Sequence, residues 1–195
     1  MKTVLITGFD PFGGETVNPS WEAVKQLPDR IGDWIVRKME IPTIFDLAAS
    51  LVIDAAEDLK VDAVLCIGQA GGRSAVTPEV IAINLQEARI PDNAGTLRTN
   101  APVDPHGPAA YFATVPVREM VSAITSAGIP AALSFSAGAF VCNDVLYRVL
   151  RHFDGTSTRA GFIHVPYLPQ QAKENKPSIP LEQIVQALTL AISVL

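Results

Sequence analysis

Cys142 stands in the stretch SAGAFVCND, after a run of small residues and ahead of VLYRVLRHF, which carries helical spacing. A thiol at a helix start meets unpaired N–H groups and the positive end of the helix dipole, both of which favour the nucleophilic thiolate. Free cysteine is also among the most buried residue types, so chemistry needs a base nearby. The chain has three histidines, His106, His152 and His164. His152 lies ten residues further along the same helix, about 15 Å up its axis, and cannot reach the sulfur. His106 sits in the loop VDPHGP, whose place the sequence leaves open. His164 ends the strand-like GFIHV. The thiol follows one strand and the imidazole ends the next, so a right-handed strand, helix, strand unit brings both to one sheet edge. That pairing supplies the nucleophile and base of acyl transfer. A carboxylate that orients the imidazole would come from Glu79 if the short link after Gln69 returns the chain antiparallel. Spacing does not choose it over Asp10, Asp92 or Asp104.

The elements that must carry these groups alternate along the chain. TVLIT (3–7), IVRKMEI (35–41), DAVLCIG (62–68), EVIAINLQ (79–86), IPAALSFS (129–136) and AGFIHV (160–165) read as strands, the fourth with Ile81, Ile83 and Leu85 on one face. Helical spacing covers 43–60, 117–127, 142–153 and 180–194, and Asn18 caps a further helix with Pro19 at its first position. Thr43 with Asp46 forms a capping-box pattern ahead of Leu47. The alternation predicts a three-layer α/β/α sandwich around a mostly parallel, mixed twisted sheet, with 1–195 as one catalytic domain. Between Pro91 and Pro116 runs a Pro-, Gly-, Asn- and Asp-rich stretch longer than most connections, which is either functional or a mobile excursion.

Composition narrows the partners. With 195 residues, 48% hydrophobic content and a net charge of −5, the chain has a core of ordinary size and no basic surface for nucleic acid. No apolar run is long enough for a membrane span or a signal peptide, so a cytoplasmic location is expected. The two cysteines lack zinc spacing and read as free thiols, Cys66 as core in the middle of VLCIG. Gly8 and Gly13 have Walker A spacing without its lysine, and no G-x-G-x-x-G is present, which weighs against a nucleotide-binding enzyme. A non-catalytic scaffold with a redox-regulated thiol is the other alternative.

TGFDPFGGETVNPS, QAGGR, PEVIAIN, ARIPDNAG, SAGAFVCN and GFIHVPYLP, taken in order, resemble the pyrrolidone carboxyl peptidases, also called pyroglutamyl peptidases I. The likeness implies a cysteine peptidase that removes N-terminal pyroglutamyl residues from peptides, without metal or cofactor, assembled as a homo-oligomer, commonly a tetramer. Catalytic roles would then fall on Cys142, His164 and Glu79. The lactam ring would lie between Phe9 and Phe12, with Phe140 and Val141 near the pocket. Gln69 and Asn18 match positions that bind or support the substrate, and Arg89 matches one associated with the oxyanion site. One departure is visible, since Val80 follows Glu79 where the family usually has arginine. The apolar C-terminal helix with Ile184, Leu188, Ile192 and Leu195 offers a candidate assembly surface once core packing is satisfied.

Overall fold

A computed structural model describes residues 1–173 and 175–195. Its main sheet runs β2 (Arg30–Ile31), β3 (Trp34–Ile41), β1 (Lys2–Phe9), β4 (Ala63–Gln69), β8 (Arg159–Val165) and β5 (Thr77–Pro78). The four inner strands are parallel, and the two-residue edge strands β2 and β5 are antiparallel to their neighbours. Successive residues of β1 point to opposite faces: Val4 and Ile6 to one core, Leu5 and Phe9 to the other. On the first face pack α1 (Pro19–Val24), α3 (Val117–Ser126) and α5 (Leu181–Ser193). On the second pack α2 (Leu47–Leu59) and α4 (Val141–His152). Each fully buried Val, Leu or Ile in these layers contributes about 1.5–3 kcal/mol, and burial on both faces accounts for the near-continuous apolar runs of the parallel strands.

Four local expectations need correction. Helix α2 begins at Leu47 rather than residue 43, because Asp10 accepts from both the N–H and the hydroxyl of Thr43, leaving no cap for the helix. Asp46 precedes the helix at φ 62°, where its side chain makes no capping bond. The run 79–86 is not one strand: after β5 the chain leaves the main sheet and pairs as β6 (Ile81–Ile83) with β7 (Ala110–Phe112) in a separate ribbon. With β5 so short, 129–136 finds only isolated bridges, Val76 to Ala131 and Glu79 to Ser134. Finally, Ile184, Leu188 and Ile192 are fully buried and Leu195 packs against the same core, so these residues hold α5 to the sheet and are not an assembly surface.

The Pro91–Pro116 stretch is pinned down rather than an excursion. Asp92 accepts from Phe45 N–H at 3.0 Å, and Asn93 donates to Asp10 Oδ1 at 3.0 Å and to the Pro11 carbonyl at 2.9 Å. Further on, Arg98 pairs with Asp46 at 2.8 Å. Asp144, fully buried on α4, accepts from Asp46 N–H, Gln86 Nε2 and Arg148 Nε at 2.9, 2.7 and 2.9 Å. The loop is thereby tied to the starts of α2 and α4, the elements that border the strand ends.

Candidate active site

Parallel sheets place functional groups beyond the carboxyl ends of their strands, and here the ends of β1, β4 and β8 open into one cavity of about 490 Å³. His164, the penultimate residue of β8, is 3% exposed and stands beside Gly68 of β4 on one side and Thr77 of β5 on the other. Glu79 follows two residues after Thr77, as the antiparallel return requires, and its buried Oε1 lies 2.7 Å from His164 Nδ1. With Nδ1–H donated to the carboxylate, Nε2 remains as the basic nitrogen. Cys142, second residue of α4, shares the cavity wall with His164.

The thiol is seated on a glycine. A Cβ built on Gly68 would meet Cys142 Sγ at 2.9 Å and Phe162 Cζ at 2.7 Å. Gly68→Ala must therefore displace either the sulfur or a core aromatic. Overpacking of this kind costs about 1–3 kcal/mol, and a shift of the nucleophile approaching 1 Å costs up to about a hundredfold in rate. We expect kcat/KM of the variant to fall at least about tenfold, with a lowered thermal midpoint. Unchanged kinetics would show that the sulfur does not act from this seat.

Electrostatics place the resting pair in its neutral form. Burial pushes the Cys142 thiol up to about 12, reinforced by the charge of Glu79 and only partly opposed by Arg73. Burial likewise lowers His164, against the bond and charge of Glu79 that raise it. The ready thiolate expected at the helix start is thus not the resting state, because desolvation outweighs the helix terminus. Burial would raise Glu79, but the hydrogen bond and charge of His164, followed by Ser134 and Arg73, hold it below the usual carboxylate range.

Around this centre the walls are mixed. Phe12 and Phe140 line the cavity with ring centroids 6.1 Å apart, and Phe45 backs Phe140 edge-on at 5.3 Å. Gln69 closes β4. Its Oε1 accepts from Gln171 at 3.2 Å, and its amide N–H groups have no partner among the described residues. Arg89 is exposed on the rim. Tyr167 forms another wall, its ring so close to Gly71 that a Cβ there would sit 2.1 Å from Cζ.

Other sequence candidates lie elsewhere. Phe9 ends β1 instead of occupying the loop; at 1% exposure it packs toward Phe162 in the core and is not a cavity wall. Val141 is fully buried in the same core. Asn18 is also behind the wall: its Oδ1 caps α1 through Ser20 N–H, and its Nδ2 holds the Asp10 carbonyl at 2.9 Å, which shapes the loop carrying Phe12. Asp10 and Asp92 fasten the rim, and Asp104 pairs with Arg151. Neither His106, whose N–H bonds Asp104, nor His152, which meets Glu57 at 2.8 Å, borders the cavity. Cys66 is buried in the sheet, with its thiol also pushed up to about 12 by burial. No group of three or more His, Cys, Asp or Glu among the described residues is arranged to hold a metal ion.

Sequence reading missed Arg73, which donates through Nη1 to Glu79 Oε1 at 2.7 Å and to Thr77 Oγ1 at 2.5 Å, and through Nη2 to the Ser136 carbonyl at 2.9 Å. The available signal was its place in QAGGR, at the same sheet edge as Glu79. The guanidinium that meets Glu79 thus comes from six residues upstream, while Val80 bonds Ser134 through its backbone.

Comparison with known proteins agrees with this geometry. The family model described as pyroglutamyl peptidase matches residues 2–195. The chain is 48% identical over 196 residues to the pyrrolidone-carboxylate peptidase of Thermoanaerobacter sp. (strain X514), covering 98% of this chain and 97% of that protein. It is 51% identical over 193 residues to the pyrrolidone-carboxylate peptidase of Levilactobacillus brevis, covering 97% and 95%. The crystal structure of Bacillus amyloliquefaciens pyroglutamyl peptidase I superposes with a TM-score of 0.95 at 44% identity, covering 100% of this chain and 96% of that one. Pyrrolidone carboxyl peptidase from Thermococcus litoralis gives 0.95 at 38% identity, covering 100% and 93%. A thiol and an imidazole on one cavity wall, the imidazole backed by a buried carboxylate, on this fold and with this kinship, make the chain a member of the pyroglutamyl peptidase family.

Proposed function

We infer that this cysteine peptidase removes N-terminal pyroglutamyl residues from peptides by way of a thioester, with Cys142 as nucleophile, His164 as base and acid, and Glu79 as the group that orients His164. The observation that carries the assignment of roles is the 2.7 Å contact between Glu79 Oε1 and His164 Nδ1 at the wall that holds Cys142. Because thiol and imidazole rest neutral, the thiol proton passes to His164 Nε2 as Sγ attacks the pyroglutamyl carbonyl. Glu79 stabilises the imidazolium so formed. The developing oxyanion meets the Cys142 N–H in the uncapped first turn of α4, with Arg89 supplying positive charge from the rim. His164 then protonates the leaving amine as the C–N bond breaks. In the second half, water gives its proton to His164 and attacks the thioester, and the proton returns to Sγ as the acid is released.

The pocket suits an uncharged lactam. Phe12 and Phe140 offer apolar surface, and the Gln69 amide offers donors for the ring carbonyl. The aromatic clamp is therefore Phe12 with Phe140, not Phe9 with Phe12. Asn18 acts indirectly, by shaping the Phe12 loop. Peptides are the partners. No helix among the described residues is long and apolar enough to cross a membrane. A single catalytic domain, a cytoplasmic location and a homotetramer complete the reading; the tetramer rests on family resemblance, and light scattering on the eluted protein tests it.

Substrate discrimination tests the pocket independently of the nucleophile. A prolyl amide keeps the ring, loses its carbonyl and brings a charged amine. An unpaired buried donor costs about 1–3 kcal/mol, and an ammonium desolvated between aromatic rings costs more. Pyroglutamyl amides should be turned over at least about a thousandfold better in kcat/KM than prolyl amides. Comparable values would refute the pocket while leaving Cys142 as nucleophile.

A further inference from the structure

Two donors converge on a single oxygen of Glu79. His164 Nδ1 and Arg73 Nη1 each lie 2.7 Å from Oε1, whereas Oε2 is buried with no hydrogen-bond partner among the described residues. A carboxylate oxygen has two lone-pair directions, and here one is filled by the imidazole and the other by the guanidinium. The remaining bonds of Arg73, to Thr77 Oγ1 and the Ser136 carbonyl, anchor the guanidinium to two further segments. Such a planar, multiply bonded fork has little freedom to turn.

Resting on the Cys142, His164 and Glu79 reading, we propose that Arg73 is a positioning residue of this relay, holding Glu79 ionised and turned toward His164 throughout the catalytic cycle. Without it, the imidazole, whose charge changes at each proton transfer, would be the one donor left on Oε1 among the described residues. The positive charge also acts on the imidazole directly. It opposes imidazolium and favours thiolate, so it extends the range over which His164 is a free base toward lower pH. The other titratable groups facing the relay are Cys142 from α4 and Cys66 from β4, with Arg89, Glu15, Glu87 and Tyr167 on the cavity wall. None of these donates to Glu79 in the structure.

The test is a pH profile of pyroglutamyl amide hydrolysis for Arg73→Ala and Arg73→Lys. Arg73→Ala should lower kcat about a hundredfold with KM changed less than about threefold, and should move the acid limb of kcat/KM upward by about one pH unit, since His164 then protonates more readily. Millimolar guanidinium chloride should restore part of kcat and return the limb, while methylammonium should do neither. Arg73→Lys should keep the limb in place and lose about tenfold in kcat, because a point charge cannot make all three bonds. In a Glu79→Gln background, Arg73→Ala should cost less than about threefold more, as the two residues act as one unit. A folded Arg73→Ala enzyme with the wild-type limb and no response to guanidinium overturns the proposal. If Arg73→Ala does not fold, Arg73→Gln decides: loss of the charge must raise the limb, and an unmoved limb sinks the idea. Failure of the underlying relay is separately visible, because Glu79→Gln alone would then retain full activity.

Discussion

Cys142→Ala is expected to abolish hydrolysis of pyroglutamyl amides, with a loss of about 10⁶-fold in kcat, while the circular dichroism spectrum stays that of the wild type. Both halves follow from where the residue sits. It lies in the first turn of α4, where alanine is a good helix former, and the helix is held by Val145, Leu146, Val149 and Leu150 in the core rather than by the thiol. No other group that lines the cavity is a thiol, so nothing replaces the nucleophile. In triads of this kind, removing the nucleophile alone costs nearly as much as removing every member, which sets the magnitude. Cys66→Ala is the control. It deletes one buried sulfur from the middle of β4, at a cost of about 1 kcal/mol, and activity should stay within about threefold. Equal losses in the two variants with intact folds would remove Cys142 from its role.

His164→Ala should be nearly as damaging, about 10⁵-fold or more in kcat, because the proton must leave a thiol whose burial pushes it up to about 12 and no second imidazole among the described residues lines the wall. Glu79→Gln should cost less, about 10³–10⁴-fold. The amide keeps the shape and one acceptor for Nδ1–H, but a neutral group neither stabilises imidazolium nor enforces the tautomer that leaves Nε2 basic. His152→Ala, on the outer end of α4 beside Glu57, should stay within about twofold. Steady-state kinetics of the three variants at fixed pH suffice. An inactive, well-folded His152→Ala enzyme, or a fully active His164→Ala enzyme, would contradict the site.

What the sequence made legible depended on the range over which each feature is determined. Apolar runs and caps are local, so β1, β4, β8 and the extent of α3 and α5 follow from adjacent residues. The meeting of Cys142 with His164 follows from the handedness of one strand, helix, strand unit, whereas spacing left Glu79 level with Asp10, Asp92 and Asp104 until the antiparallel β5 set it against His164. The failures are all set by distant partners. Thr43 looks like a cap until Asp10, 33 residues earlier in the chain, takes its donors. Phe9 and Phe12 flank the same proline, yet one belongs to a strand end facing the core and the other to the rim. Arg73 is an unremarked member of a glycine-rich motif until the fold brings it to Glu79 and to Ser136, 63 residues away.

The clip made by Asp10, Thr43 and Asn93 joins segments 33 and 83 residues apart. The Asn93 arm of the clip is exposed, and surface contacts open more readily than a core strand. The ring clamp is therefore surrendered before the sheet. Catalytic competence in this chain is a stricter criterion of nativeness than secondary structure, and a population with an intact sheet but an open clip is folded by spectroscopy and blind to its substrate.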